Sequence, residues 1–347
     1  MADTITTNYN LTKPEVGGSD DSWGDKVNTD LDLIDTQMKV NANAVEAVKS
    51  NAAPKNLILN GDMRISQRGS FTTATTLVND IYTLDMIKGF VAGDAVGDST
   101  IQDITRKVKI NVSTAFSAGV AAIAQPIEDY VHLQGKTITI SAKVKSNSSQ
   151  ARIYFWDGVS VIGSSAHTGG GTEETLTATA TVSASADATN ALVVGLVSAA
   201  AGNVSAALND YVEVTDIQLE VGSLATGFDY RSYNEELARC KRYCNELCSE
   251  INEPVALASN YSSTTAIACV RYEVEMMATP TLTVAAPTAF SIFTNGSSVS
   301  QSTGLGSYGI TKKSINLNFA TSGLPVGSPS FVRTRFSSAS ILLTSDL

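Results

Sequence analysis

Imidazoles are almost missing from this chain. Only His132 and His167 occur among 347 residues, so a His-rich metal site is excluded and a Ser-His-Asp triad would have to use one of these two. Thiols are few as well: of four Cys, three crowd together as Cys240, Cys244 and Cys248. That is too local for a disulfide framework, and synthesis in a reducing compartment is the expectation. Charged residues make up 17%, against roughly 25% in ordinary globular proteins. The balance is acidic, 24 Lys and Arg against 34 Asp and Glu for a net charge of -10, which gives no field for collecting phosphates; no nucleic acid is expected as a partner. No apolar run reaches the ~18 residues of a bilayer span, and Met1 to Asn10 lacks the basic start and apolar core of a secretory leader. A soluble chain without membrane insertion is expected.

What polarity there is comes mostly from Ser, Thr, Asn and Gly, which suit exposed strand faces and turns better than exposed helix faces. The length fits two or three domains, each with its own core.

Acidity concentrates at the start. Residues 1–50 carry nine acids and four Lys, half the net charge. There Val27, Leu31, Ile34, Met38, Asn41, Val45 and Val48 are spaced alternately four and three apart, the a/d pattern of a supercoiled helix, until Pro54 stops it. Two arrangements fit: an amphipathic helix lying on a neighbouring domain, or a parallel oligomer, a homotrimer by preference. The narrow stripe and the polar Asn41 at a d position favour the oligomer. A seam of about three heptads is marginal alone, so flanking domains must contribute.

From about Asn56 to Tyr230 the period changes to two. Ile138, Ile140, Ala142 and Val144 alternate with Thr and Lys, as do Leu176, Ala178, Ala180 and Val182 with Thr. These are half-buried strands. Val212 and Val214 hold one parity, Ile217, Leu219 and Val221 the other, which predicts a β-bulge near Asp216. Ile153 to Trp156 is apolar on both faces, as in a central or covered strand. An antiparallel β-sandwich of jelly-roll type follows. Sugar recognition needs an aromatic face and planar polar groups; Tyr154, Trp156 and Asp157 are the candidates, against the simpler reading that this run packs the core.

Tyr233 to Glu250 reads as a linking helix with the three Cys as one stripe. Residues four apart on a helix lie about 6 Å from each other, too far for all three to share one metal ion, so they read as small buried hydrophobes. The Ser/Thr-rich remainder, with Ile315, Leu317 and Phe319 alternating with polar residues, is a second all-β unit. Gly304 to Gly309 matches a dinucleotide fingerprint but leads into no helix and reads as a loop. Glu173-Glu174 and Glu235-Glu236 are adjacent pairs whose side chains diverge, unlike the facing carboxylates of glycosidases. No catalytic residue, metal site or cofactor is implied. The expected layout is residues 1–26 as an anchor, 27–53 as a heptad stalk, 54–230 as the sandwich, 231–252 as the linking helix and 253–347 as the C-terminal β domain.

Four strings resemble bacteriophage tail-fibre and related virion proteins. Asn10-Leu-Thr-Lys-Pro-Glu-Val-Gly-Gly-Ser-Asp-Asp-Ser-Trp-Gly, running on to Asp35, resembles their virion-proximal signature. Asn56-Leu-Ile-Leu-Asn-Gly-Asp-Met-Arg-Ile-Ser-Gln-Arg-Gly69 and Thr215-Asp-Ile-Gln-Leu-Glu-Val-Gly-Ser-Leu-Ala-Thr-Gly-Phe-Asp-Tyr-Arg231 resemble the two ends of their carbohydrate-binding-module-like jelly roll. Tyr233 to Tyr243, followed by Val274 to Val284, resembles the element that leads into their C-terminal domain. Asp85-Met86-Ile87 stands where the family has Asp-Arg-Trp, and Val274 and Met277 where it has Pro and Arg. The resemblance implies a virion fibre made in the host cytoplasm, with Pro14 and Trp23 in the anchor. Residues 1–35 would meet tail or neck proteins, and distal β domains would meet a host-surface glycan or protein. An architectural head or collar fibre, an adaptor, and a polysaccharide-degrading tailspike are the other readings.

Overall fold

The computed structural model describes residues 4–5, 11–13, 22–50, 56–69, 71–198, 200–294, 298–336 and 338–347, without the side chains of 13, 46–50 and 298. Pro14 and Pro54 lie outside the described residues, as does the side chain of Val48. The chain is mainly β, with 44% of residues in strands and 11% in helices, arranged as two β units behind an N-terminal helix. No helix among the described residues is long and apolar enough to cross a membrane.

The first helix, α1, spans Trp23–Ser50. It starts at Trp23 itself, and the Trp23 side chain is exposed. Two short strands, Thr4–Ile5 and Thr12–Lys13, pair antiparallel ahead of it. The Thr12 N–H donates to Asp30 Oδ1 at 2.6 Å, tying that pair to the helix. The heptad side chains stay open: Leu31 is 56% exposed, Ile34 40%, Met38 66% and Val45 52%. Asn41 is exposed too and accepts from Gln37 Nε2 at 2.9 Å, while Val27 is half-buried. The alternative of a helix lying on a neighbouring domain would have covered this stripe.

The middle unit is a sandwich of two antiparallel sheets. One runs in the order Glu173–Thr181, Thr137–Ser146, Tyr211–Val221, Val108–Val112, Ser99–Asp103, Thr75–Thr76. The other runs Val161–Gly163, Ala151–Trp156, Ala191–Leu196, Phe116–Gln125, with Lys88–Gly93 along the far side of Phe116–Gln125. Val204–Ala206 pairs with the start of Phe116–Gln125. The two most regular alternations in the sequence are direct neighbours: Leu176 lies opposite Ala142, Ala178 opposite Ile140, Ala180 opposite Ile138. Their apolar sides join one core that includes Ile110, Ile123, Phe155, Val194 and Leu219. On the outer side threonines pair, Thr139 Oγ1 lying 2.8 Å from Thr179 Oγ1.

The parity slip is a bulge. Register along Tyr211–Val221 shifts between Thr215 and Gln218, and Asp216 has φ +50 with its carboxylate 2.8 Å from Lys143 Nζ. One extra residue turns Ile217 and Leu219 back into the core. Gln218 and Glu220 on the other side are buried as well, because the chain folds back over them: Asp229 N–H donates to Gln218 Oε1 at 2.8 Å and Thr226 N–H to Glu220 at 3.0 Å.

The opening and closing strings of this unit are clamped together. Asn56 donates to Ile217 O and accepts from the N–H groups of Ile58 and Leu219. Asn60 does the same within its own loop, donating to Ile65 O and Asp85 O and accepting from the N–H groups of Arg64 and Ile65. An amide side chain suits this work because it carries a donor and an acceptor in one plane. Arg231 is buried against Glu236 at 3.2 Å, and Arg64 donates to the Arg231 carbonyl.

The linking helix is shorter than the 231–252 expected. α2 is Tyr233–Cys240, N-capped by Ser232, whose hydroxyl accepts from Glu235 N–H. Cys244–Cys248 is instead a strand paired with Ser340–Thr344. Pairing with that distant strand overrides helix propensity here, and the chain turns at Arg242 and Tyr243, both bound to Glu128 of the sandwich. The C-terminal unit couples the three-stranded sheet Cys244–Cys248, Ser340–Thr344, Thr281–Ala285 to a seven-stranded one. Its core holds Phe290 and Phe319 edge to face at 5.5 Å, with Ile315, Leu317 and Val332. Gly304–Tyr308, expected as a loop, is an edge strand paired with Ser314–Ala320, and Gly309 at φ +60 makes the turn between them.

Candidate functional site

Strand alternation puts a second apolar set on the outside of the sandwich. Along Phe116–Gln125, Ala121 and Ile123 enter the core while Val120, Ala122 and Ala124 face outward. Along Ala191–Leu196, Leu192 and Val194 point in and Val193 points out. Ile153 and Phe155 point in, Tyr154 and Trp156 out. The double-sided run is therefore split: Phe155 packs the core, while its two neighbours belong to an outer cluster with Phe90, Val161 and Ala191.

Over this face lies an open cleft of about 460 Å3, lined among others by Phe90, Ala124, Tyr154, Trp156, Ala191 and Val193. Its volume is within the ~300–1,000 Å3 usual for ligand clefts. Part of its wall is an excursion that interrupts pairing along Phe116–Gln125, between Leu196 and Val204. There Ser198 N–H donates to Gly202 O at 2.9 Å, Ala201 takes φ +58, and Ala200 and Ala201 turn toward the cleft.

Polar groups stand at its margins. Lys88 Nζ is 3.1 Å from Asp80 and 5.9 Å from the Tyr82 ring centre. Trp156 Nε1–H donates to Thr189 Oγ1 at 3.4 Å, and the Thr189 hydroxyl donates to Asp187 Oδ1 at 2.6 Å. That chain fixes the indole edge and holds Asp187 below the usual carboxylate range. Burial pushes the Tyr154 hydroxyl up to about 12, so it stays a neutral donor and acceptor.

Asp157, the third sugar-contact candidate, does not join them. Its side chain is fully buried and accepts from Val159 N–H (2.8 Å), Ser160 N–H (2.6 Å), Ser160 Oγ (3.0 Å) and Ser183 N–H (2.9 Å). Burial alone would raise its pKa, but these hydrogen bonds outweigh burial and lower it. Asp157 brackets a turn, as Asp residues do when their acceptors meet nearby N–H groups.

Sequence reasoning missed Phe90, Lys88, Thr189 and Ala191. The usable signal was the short alternation Lys88-Gly-Phe-Val-Ala, in which Val91 goes in and Phe90 out. Asp85 is buried and accepts from the Gln67 backbone and side chain. Arg68 reaches Asp346 of the C-terminal unit and stacks on Tyr82 at 4.8 Å.

His167 is buried, Gly169 N–H donating to Nδ1 and Nε2 lying 3.0 Å from Thr172 O and 3.5 Å from Glu174. His132 is exposed beside Asp129 at 3.3 Å. Among the described residues no three His, Cys, Asp or Glu stand together as a metal site.

No protein-family model matches the chain, and no curated protein matches it in sequence. Solved structures do. The family 11 carbohydrate-binding module of cellulosomal cellulase Lic26A-Cel5E of Clostridium thermocellum is 14% identical over 45% of this chain and 99% of its own, with a TM-score of 0.26. A putative sugar binding protein from Bacteroides thetaiotaomicron is 14% identical over 48% of this chain and 100% of its own, TM-score 0.28. The tandem CBM22-1-CBM22-2 domain of Paenibacillus barcinonensis Xyn10C is 11% identical over 85% and 97%, TM-score 0.27. Likeness this distant carries no functional weight.

Proposed function

We propose that this chain is a fibre subunit of a bacteriophage particle that binds a host-surface glycan without catalysis. Its N-terminal segment docks on the virion, and three copies associate in parallel through α1. The sandwich cleft then presents Trp156 to the sugar, with the buried Tyr154 at its floor. The observation that carries the glycan part is this open cleft on an outer sheet face, where an indole whose edge is held by Thr189 stands beside a neutral phenol. Aromatic faces take the C–H side of a pyranose while polar margins take its hydroxyls. A single such contact is weak, about millimolar or −4 kcal/mol. Three copies per fibre, and several fibres per particle, raise avidity by about 10² to 10⁴ through effective concentration.

A second reading, an architectural fibre or adaptor that meets another virion protein, is favoured by one feature. The seven-stranded sheet exposes Leu257 (80%), Val299 (52%) and Tyr308 (48%), with Phe293 and Phe331 in contact 6.0 Å apart on the strands between Val299 and Leu257.

The test is binding of the full chain to a glycan panel and to host cells, beside Trp156→Ala. Loss of glycan binding in the variant is expected. Equal binding by wild type and variant would overturn the cleft as the site, and binding to virion proteins with no glycan bound would favour the architectural reading.

A further inference from the structure

The cleft has few hydrogen-bonding groups where a sugar would sit. Register places Lys88, Ala124, Val193 and Tyr154 in one row across four adjacent strands. At about 4.8 Å between strands this row is roughly 14 Å long, enough for one or two sugar rings. At one end Lys88 pairs with Asp80; at the other stand Tyr154 and Trp156, whose N–H donates to Thr189, which in turn donates to the Asp187 carboxylate. Between them the floor is Ala124 and Val193, both nearly inaccessible to water, with Phe90 and Ala191 beside them.

A sugar hydroxyl lying over Ala124 and Val193 would leave water and meet no partner, a loss of about 5-fold to 100-fold in affinity. A methyl group there gains instead, by about fourfold for one buried carbon. We infer that the cleft selects a saccharide bearing a methyl group, as an N-acetyl or 6-deoxy substituent, seated on Ala124 and Val193 while the ring stacks on Trp156. This inference rests on the glycan reading and names its ligand class. The overall charge of -10 and the Asp80 partner of Lys88 point the same way, toward a neutral sugar.

The experiment titrates the full chain with two matched pairs, N-acetylglucosamine against glucose and L-fucose against L-galactose, and maps contacts by saturation-transfer NMR. In at least one pair, the methyl-bearing member binds about fourfold tighter or more, and its methyl protons take the strongest saturation. The pair that responds distinguishes the acetyl from the deoxy source. Val193→Thr, which adds a hydroxyl to the floor with little change of shape, is expected to erase the preference while the β-rich circular dichroism is kept. Equal affinity within both pairs, or a preference that survives Val193→Thr, overturns the methyl subsite and leaves the glycan reading intact. No binding to any sugar of a broad panel removes both.

Discussion

The exposed seam of α1 makes a quantitative demand on assembly. Five described apolar heptad residues, Val27, Leu31, Ile34, Met38 and Val45, are half-buried or open in a single chain. Complete burial of such a side chain stabilises by about 1.5–3 kcal/mol. With about half their surface still to cover, the gain is about 1 kcal/mol each, or about 5 kcal/mol per chain in a trimer. Lost translational and rotational freedom opposes each association step by an estimated 4–15 kcal/mol. In the proposed trimer the seam alone is close to balance, so small changes in it would decide the oligomeric state. Ile34→Asp with Met38→Asp removes about 2 kcal/mol of apolar gain per chain and places unpaired carboxylates at the seam, each costing several kcal/mol more if buried. Sedimentation equilibrium at micromolar concentration is expected to give three times 36.4 kDa for the wild type and 36.4 kDa for the double variant, with β-sheet circular dichroism unchanged. A wild type sedimenting as a monomer, or a double variant that keeps its full mass, would refute the coiled-coil assignment.

Three other perturbations check separate parts of the structure. Asp157→Ala should lower stability in urea by about 3 kcal/mol, since three N–H groups and a hydroxyl lose their acceptor. Because its folded pKa is depressed, the Asp157 contribution is present above the unfolded value of about 3.9 and is lost as pH falls through the folded one, so the variant should lose part of the acid limb; an unchanged urea midpoint would show that the turn does not depend on it. Glu128 takes both Nε and Nη2 of Arg242 and the Tyr243 hydroxyl across the junction between the units, and the Arg242 hydrogen bond leads in holding its pKa down. Glu128→Gln, or acidification below the unfolded value of about 4.3 through the depressed folded one, should raise hydrogen exchange around Tyr243 and Ser345; protection that is the same in the variant and at low pH would refute this clamp. Of four thiols, Cys269 alone is exposed, so a thiol reagent should modify one quickly and three only on unfolding. Burial pushes Cys248 up to about 12 and Cys240 and Cys244 higher than an ordinary thiol, and fast labelling of two or more would contradict their burial.

Elements whose order is written in a local period were readable from the sequence. Thr137–Ser146 and Glu173–Thr181 alternate without a break because each has an apolar side on the core and a polar side facing away from it, and they pair with each other, although Thr139 and Ser141 on that polar side are themselves buried. Even the Asp216 bulge was visible, since one extra residue inverts parity downstream. The Cys240 to Cys248 stretch was not. A spacing of four is about one helical turn and also two strand repeats, and the choice was made by a partner strand about a hundred residues away, Ser340–Thr344. No local pattern carries that information.

The same contrast explains the site. Tyr154 and Trp156 could be picked out as aromatics, but whether they packed inward or lined a surface depended on which of two sheet faces was closed by the rest of the chain. The core took Ile153 and Phe155, and the excursion between Leu196 and Val204 walls the other face only in part. Asp157 follows them in sequence, yet the strand ends at Trp156 and the next residue enters a turn, where its carboxylate finds four donors. A carboxylate next to an aromatic in sequence is thus no guide to one next to it in space. The partners that complete the cleft are distant in sequence, Ala191 directly opposite Trp156 on the next strand and Phe90 three strands across, so the methyl-lined floor becomes visible only when the strands are laid side by side.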